Sequence, residues 1–127
     1  MTNPVYMLDS NICIYILDGQ GSLLRNRIEC HSQGEIVVSS ISYAEVMRGI
    51  PVLDAGRVRN AERFFDFFAV QDFDRGSGRA YREIPFRRGS FDRLIAAHAL
   101  TLGLTLVTNN EADFADVPGL KVENWTI

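Results

Sequence analysis

Short apolar runs alternate with longer helical segments along the chain, and no other sequence feature limits the fold more strongly. The runs have the length and composition of buried strands and lie at residues 5–8, 36–39, 70–73, 105–108 and 121–125. Segments with the start and stop signals of helices separate most of these runs. Strands that alternate with helices form a parallel sheet, and the helices cover it. The sequence therefore predicts an α/β fold with a central parallel β-sheet flanked by helices on both faces.

Helices are predicted to begin near residues 10, 22, 42, 54, 77 and 90. The last of these has the clearest limits, with Ser90 as a suitable N-cap and Gly103 as a suitable C-terminal stop. Ile95 and His98 share one face of this helix at helical spacing. We expect that face to be buried, with His98 as a core histidine rather than a catalytic one.

The length of 127 residues predicts one domain, residues 1–127, which is large enough to bury a single core. No apolar run has the length of a membrane span, and the N-terminus lacks a basic-then-apolar signal. A cytoplasmic protein without membrane contact is therefore expected. Cys13 and Cys30 stand alone, which argues against a zinc site or a disulfide framework. The net charge of −3 argues against a generally basic nucleic-acid-binding surface.

Four acidic residues stand where strands end or helices begin. Asp9 ends the first predicted strand, and Glu45 lies just past the second. Asp92 opens the helix that begins near residue 90, and Asp113 follows the strand at 105–108. Ligands of open α/β sheets bind beyond the carboxyl ends of the strands. Because oxygen ligands around concentrated negative charge are typical of Mg²⁺ or Mn²⁺ sites, a divalent metal site is expected there.

Each of these acids also has a non-catalytic explanation. Asp9 could cap the helix that follows it, and Glu45 could complete a capping box that begins at Ser42. Asp92 could do no more than complement the helix dipole. Asp113 could be a solvated acid in a polar turn. The spacing of the acids alone leaves both explanations open.

Four motifs, and the residues that follow them up to position 125, resemble those of a known family. They are MLDSNICIY at 7–15, SSISYAE at 39–45, DRLIAAHAL at 92–100 and LVTNNEADF at 106–114. In this order and spacing, the chain resembles PIN-domain ribonucleases of the VapC toxin type over nearly its whole length. The resemblance implies a Mg²⁺-dependent endoribonuclease, with Mn²⁺ able to substitute, that is toxic to its bacterial host. It also implies inhibition by a cognate VapB-type antitoxin.

The expected catalytic residues are the four acids Asp9, Glu45, Asp92 and Asp113. Asp9 and Asp92 are the expected direct metal ligands, with Glu45 acting as a ligand or through a water molecule. A divalent ion would activate water for attack on the scissile phosphorus, which leaves a 5′-phosphate and a 3′-hydroxyl.

Three neighbouring polar residues are expected to support these acids: Ser10, Asn11 and Asn110. Ser10 stands where the family usually has threonine, and it keeps the hydroxyl that orients the first carboxylate. Asn110 stands where many PIN domains have aspartate, so Asp113 is expected to take over as the fourth acid. The segment between Tyr81 and Asp92 is shorter than the family pattern leads us to expect.

Arginine supplies almost all of the basic residues, and Lys121 is the only lysine. The guanidinium fork suits phosphate oxygens, although a GC-rich genome would give the same bias. An acidic cleft repels RNA, so its affinity must come from cations around it. The candidates for RNA binding are Arg82, Arg87, Arg88 and Arg93. A loop of structured RNA, in tRNA or ribosomal RNA, is the target that the resemblance implies.

The expected partners are the RNA substrate, a second copy of the chain in a homodimer, and a VapB-type antitoxin in a hetero-oligomer. We expect a basic antitoxin side chain to enter the acidic site. The receiving surface could lie around Ile14 and Phe64, and these residues could equally belong to the core or to the seam of a homodimer. A PIN-fold module that binds RNA or protein without catalysis is the main alternative. A phosphoaspartyl transferase with Asp9 as nucleophile is disfavoured, because Asn11 stands where such enzymes usually have a second acid.

Overall fold

Five parallel strands form the centre of the protein in a computed structural model that describes residues 3–127. The strands are β1 (Tyr6–Leu8), β2 (Ile36–Ser39), β3 (Val70–Gln71), β4 (Thr105–Val107) and β5 (Val122–Glu123). Their order across the sheet is β3-β2-β1-β4-β5, and every neighbouring pair is parallel. The predicted parallel sheet is confirmed, although every strand except β2 is shorter than its apolar run.

The side of the sheet to which successive strands are added changes at β1. Strands β2 and β3 are added on one side of β1, and β4 and β5 are added on the other. Leu8 pairs with Val107 at the carboxyl ends of β1 and β4, and the amide of Asp9 donates to the Val107 carbonyl at 3.0 Å. A crevice forms beyond such a switch point because the connections on its two sides run apart. Asp9 lies at this crevice.

Six α-helices connect the strands or flank them. They are α1 (Ser10–Leu17), α2 (Ser22–Glu29), α3 (Ser40–Arg48), α4 (Ala55–Phe67), α5 (Arg75–Tyr81) and α6 (Asp92–Leu102). Short 3₁₀ segments follow at Gln33–Glu35 and Glu111–Phe114. Within residues 3–127, no helix is both long and apolar enough to cross a bilayer.

Two helix starts differ from the prediction, and local capping explains both. Helix α3 begins at residue 40 rather than 42, because the Ser39 hydroxyl accepts a hydrogen bond from the Ile41 amide at 3.0 Å. Helix α5 begins at residue 75 rather than 77, because Asp74 caps it and accepts from the Ser77 amide at 2.9 Å. Helix α6 ends at Gly103 as predicted, in the left-handed conformation that glycine adopts freely.

The core has one part on each face of the sheet. Side chains alternate between the faces along a strand, so Met7 and Leu8 enter different clusters. Leu8 packs with residues of α1 and α4, including Phe64. Met7 packs with the small residues of α6, including Ala96, and α5 packs against α6 in turn. Helices therefore cover both faces, as the sequence predicts.

His98 joins α6 to the start of α3. Its side chain is buried, and its Nδ1 lies 2.8 Å from the Ser39 hydroxyl oxygen. Burial lowers the pKa of His98, which favours the neutral ring. The prediction of a core histidine is confirmed, and the contact fixes the helix that begins with Asp92 against the helix that carries Glu45.

Replacement of Ser39 by alanine tests this joint. The variant S39A removes the cap of α3 and leaves the buried His98 Nδ1 without its partner. We expect a loss of about 1–3 kcal/mol in the free energy of unfolding, measured by urea denaturation. S22A is the matched control, because Ser22 is exposed at the start of α2. Equal stability of S39A and S22A would contradict the role of this contact.

Candidate active site

Asp9 is the most buried of the four predicted acids, and it occupies the turn between β1 and α1. Its residue is 3% exposed. Its Oδ1 accepts a hydrogen bond from the Ile12 amide at 2.9 Å, so Asp9 is the N-cap of α1. The capping explanation for Asp9 is therefore confirmed. Capping uses only one carboxylate oxygen for this bond.

The charge around Asp9 is unfavourable for its ionised form. The pKa of Asp9 is raised from 3.8 to about 6, mainly by burial and to a smaller extent by the Asp92 and Glu45 carboxylates. Hydrogen bonding by the Thr108 hydroxyl and the Ile12 amide lowers it only in part. A cation in the crevice would relieve the repulsion among the three carboxylates.

Glu45 lies on α3 and is held from α1. The Ser10 hydroxyl donates to Glu45 Oε1 at 2.6 Å, across 35 positions of sequence. The predicted capping box between Ser42 and Glu45 is wrong, because α3 begins at residue 40 and Ser39 caps it. Ser42 is instead buried within the helix. The main non-catalytic explanation for Glu45 is thereby removed, and the hydroxyl of Ser10 orients the second carboxylate rather than the first.

Asp92 is the first residue of α6. Its amide donates to the Ser90 hydroxyl at 3.0 Å, so Ser90 holds the helix start although Phe91 occupies the N-cap position. Burial raises the pKa of Asp92, and the nearby Asp113 carboxylate raises this pKa further. The structure thus brings Asp92 close to both Asp9 and Asp113, in keeping with the predicted cluster.

Asp113 lies at the edge of the crevice in the second 3₁₀ segment. Its Oδ2 accepts a hydrogen bond from the side-chain amide of Asn110. Its Oδ1 lies 3.4 Å from Nη1 of Arg87. Asn110 therefore orients Asp113, which matches its predicted supporting role, whereas Asn11 is exposed in the first turn of α1.

The carboxylates of the crevice are oxygen donors that could hold a magnesium ion through only one or two protein ligands. Within residues 3–127, no three His, Cys, Asp or Glu side chains lie close enough to form a ready metal cage. Mg²⁺ does not need such a cage, because it keeps several waters and takes one or two carboxylates together with substrate phosphates. Asp9 and Asp92 are oxygen donors, and the Asp92 carboxylate raises the pKa of Asp9. This pair could hold the ion, with Glu45 beside it.

The predicted RNA-binding arginines divide into two groups. Arg82, Arg87 and Arg88 are exposed in the connection between α5 and α6. Arg93 is only 1% exposed, and its Nη2 donates to the Asp113 carbonyl at 2.9 Å. The same nitrogen lies 2.8 Å from Asp116 Oδ1. The prediction that Arg93 binds RNA is therefore wrong, because its position on α6 faces the protein and ties this helix to the second 3₁₀ segment.

Sequence reasoning missed three residues near the site. Thr108 follows β4, is fully buried and lowers the pKa of Asp9 through its hydroxyl. Arg48 and Phe91 line a groove of about 510 Å³ with Ile41, Ala44 and Glu45. Arg48 could have been found from its spacing. It lies three positions after Glu45 on one helix, and residues at this spacing share a face.

A second groove lies between α1, α3 and α4. Ile14, 41% exposed, lines it together with Val46 and Ile50. Phe64, by contrast, is 9% exposed and belongs to the core. Of the two residues considered for a partner surface, Ile14 is therefore exposed, whereas Phe64 takes the alternative position in the core, with its ring packed inward from α4.

Comparison with known proteins covers nearly the whole chain. The PIN domain family matches residues 6–120. The chain is 32% identical over 130 residues to the tRNA(fMet)-specific endonuclease VapC of Shigella flexneri, covering 95% of this chain and 98% of that protein. It is 31% identical over 131 residues to ribonuclease VapC2 of Rickettsia felis, with the same coverage of 95% and 98%.

Solved structures show the same fold. The structure of VapBC2 from Rickettsia felis bound to a promoter DNA fragment matches with a TM-score of 0.86 and 30% identity, covering 95% of this chain and 98% of that one. DNA-bound VapBC from Salmonella typhimurium also matches with a TM-score of 0.86, at 28% identity, covering 96% and 98%. With its parallel sheet, its acidic crevice and its full-length relatives, the chain belongs to the PIN-domain family, as a nuclease of the VapC type.

Proposed function

We propose that this protein is a Mg²⁺-dependent endoribonuclease that hydrolyses phosphodiester bonds in a loop of structured RNA and acts as the toxin of a toxin–antitoxin pair. The observation that carries the proposal is the buried Asp9 carboxylate at the switch point, flanked by Asp92 and Glu45. The cap of α1 needs only Asp9 and does not require the neighbouring Asp92 and Glu45 carboxylates, which raise the pKa of Asp9. They suit a site that is completed by a divalent cation.

Asp9 and Asp92 would hold the ion, with Glu45 beside them and Asp113 at the edge of the site. When bound, Mg²⁺ activates water for in-line attack on the phosphorus and neutralises charge on the phosphoryl oxygens. Mn²⁺ offers the same oxygen-ligand chemistry and is expected to substitute.

The chain's own residues fix the carboxylates for this reaction. The Ile12 amide holds Asp9 Oδ1, and the Ser10 hydroxyl holds Glu45 Oε1. Glu45 Oε2 is then free to orient the attacking water or to accept a proton from it. His98 takes no part, because it is buried against Ser39 in the joint between α6 and α3. Attack by water rather than by the RNA 2′-hydroxyl leaves a 5′-phosphate and a 3′-hydroxyl.

RNA binding requires cations around the acidic crevice. Three exposed arginines in the connection before α6 are in place to contact phosphates: Arg82, Arg87 and Arg88. Arg87 already pairs with Asp113 at 3.4 Å, so it would also hold the connection close to the site. A tRNA loop is the favoured target, in line with the relative named as a tRNA(fMet)-specific endonuclease.

A VapB-type antitoxin is the proposed inhibitor, since two structures of similar fold and sequence are of VapBC complexes. The groove lined by Ile14 and Ile50 together with Asp18 and Arg57 offers such a partner both apolar and charged contacts. A basic antitoxin side chain among Asp9, Glu45 and Asp92 would neutralise the charges that otherwise bind the metal. A homodimer of the toxin within the larger hetero-oligomer is also proposed.

Metal dependence gives the first functional prediction. The pure protein should cleave RNA with Mg²⁺ or Mn²⁺, stop in EDTA and recover when excess Mg²⁺ is added, because the water is activated by the ion. The variant D9A, purified in parallel, controls for contaminating ribonuclease. Undiminished cleavage in EDTA would contradict the mechanism. Absence of cleavage of any RNA with either metal would favour the non-catalytic PIN module.

Stability gives a test that does not depend on activity. The pKa of Asp9 is about 6 in the folded protein and near 3.8 when unfolded, so ionisation destabilises the fold as pH rises through this window. The variant D9N keeps the capping oxygen and should raise the free energy of unfolding by roughly 1–3 kcal/mol near pH 7 in EDTA. This gain should disappear as the pH falls towards about 4.

Mg²⁺ should raise the melting temperature of the wild-type protein but not that of D9N, because a ligand stabilises the state that binds it. D66N is the control, since Asp66 is exposed on α4 away from the crevice. The same stabilisation of wild type and D9N by Mg²⁺ would show that Asp9 is not a ligand.

Glu45 is tested by removal of its charge alone. The variant E45Q keeps an oxygen that can accept from Ser10, so thermal stability should stay near normal. Cleavage should fall by at least about 100-fold, a typical order for one catalytic group. E62Q is a matched control, because Glu62 also accepts from a hydroxyl, that of Tyr43 at 2.8 Å, outside the crevice. Full activity in E45Q would remove Glu45 from the site.

A further inference from the structure

We propose that Phe91 and the groove beside Glu45 bind an unstacked base of the RNA next to the scissile phosphate. The proposal rests on the proposed ribonuclease function and adds to it a subsite that selects and positions the substrate. Phe91 immediately precedes Asp92, and the groove shares Glu45 with the candidate active site. A base in this groove would therefore place its own phosphate at the carboxylates.

The fold makes little use of the Phe91 side chain. The residue is 55% exposed, and it occupies the N-cap position of α6 without a side-chain hydrogen bond. N-cap positions favour Ser, Thr, Asp or Asn, and here the neighbouring Ser90 supplies the capping oxygen instead. Because neither burial nor capping explains an aromatic ring at this position, a role in binding is the better explanation.

The side chains that line the groove are suited to stacking with a base. Ile41 and Ala44 on α3 form one apolar side, and Phe91 provides an aromatic ring. Its volume of about 510 Å³ lies within the range of roughly 300–1,000 Å³ that is usual for small-ligand sites. Flat bases stack on such rings whatever their identity, and single-stranded RNA is commonly read in this way.

The charges around the groove are complementary to RNA. Arg48 is exposed at the groove, and it makes no ion pair with any residue in the described part of the chain. Its guanidinium is therefore available for a phosphate adjoining the stacked base. The connection before Phe91 carries another exposed ring, Phe86 at 74%, followed directly by Arg87 and Arg88. Aromatic rings interleaved with cations are typical of single-strand binding surfaces.

Both a base and the proposed antitoxin side chain at Glu45 would come near this groove, and the observations favour the base. The groove contains a carboxylate that is proposed to act in catalysis, so its occupant must lie within reach of the reaction. The groove at Ile14 and Ile50, which Asp18 and Arg57 also line, lies on the α1 side of α3 and offers a protein a separate surface. Docking of an antitoxin segment at Phe91 is therefore an outcome that the experiment must distinguish.

The first experiment compares steady-state cleavage of bulk tRNA in Mg²⁺ by the wild type, F91L, F91W and F67L. F91L keeps an apolar side chain but removes the aromatic face, and kcat/KM should fall by roughly 5–50-fold. F91W keeps a stacking ring and should stay within about 3-fold of the wild type. F67L is the control, because Phe67 is 49% exposed near the end of α4, outside this groove.

The second experiment measures binding of a short fluorescent single-stranded oligoribonucleotide in the D9N background, which leaves the RNA uncut. The same RNA is also prepared without its bases. F91L should weaken binding of the normal RNA and leave the abasic RNA unaffected, because only a stacked base contacts the ring. An equal effect on both RNAs would overturn the proposal.

The outcomes separate this inference from the proposed function. If the wild type does not cleave RNA with Mg²⁺, the ribonuclease function itself fails. If the wild type cleaves and F91L is as active as F67L, the base subsite alone is wrong. If F91L cleaves normally but binds the purified antitoxin more weakly, the groove receives protein rather than RNA, and the proposal is again overturned.

Discussion

The burial of the Asp9 carboxylate at the carboxyl end of β1 is the constraint on which the rest of the structure depends. A charged group that is 3% exposed needs hydrogen-bond donors and a fixed backbone around it. The Ile12 amide supplies one donor, and the pairing of β1 with β4 brings Thr108 alongside. The Ile12 contact is local, whereas the Thr108 contact exists only when β1 and β4 pair. The fold therefore holds a carboxylate whose ionisation is made costly by burial, in a place where a cation could bind it.

The other acids reach this crevice in two different ways. Helices α1 and α3 begin directly after β1 and β2, so Ser10 and Glu45 are placed by rigid elements with no intervening loop. Such placement limits the freedom of the carboxylate and suits a site that needs exact geometry. Helix α6 follows a loop instead, and its start is positioned by tertiary contacts. His98 fixes it to Ser39, and Arg93 ties it to the carbonyl of Asp113.

Helix α3 lies between two surface grooves. It also carries Glu45, and so it connects the crevice with the protein surface. Val46 and Ile50, at its end, line the groove beside α1. Ile41 and Arg48 line the groove beside Phe91. Glu45 borders the second groove and is held by Ser10 from α1. A partner that moved α1 relative to α3 would therefore disturb the hydrogen bond that orients a candidate catalytic carboxylate, without entering the crevice.

The sequence by itself determined the alternation of strands and helices, the parallel sheet and the convergence of the acids at one edge. These features follow from local spacing, from capping residues such as Asp9 and Gly103, and from a general rule about the carboxyl ends of strands. The resemblance to the PIN-domain family added the expected chemistry. The burial of His98 was also predictable, because its position on the helix face is a local property.

Only the tertiary structure decided which side chains those acids contact. Ser10 and Glu45 are 35 positions apart, and no local pattern joins them. The sequence predicted Arg93 to be a surface cation, but the orientation of α6 on the sheet places its side chain in the interior. The groove between Arg48 and Phe91 forms where two distant segments meet. Contacts of this kind depend on how helices dock onto the sheet, and docking is set by the packing of the whole core rather than by neighbouring residues.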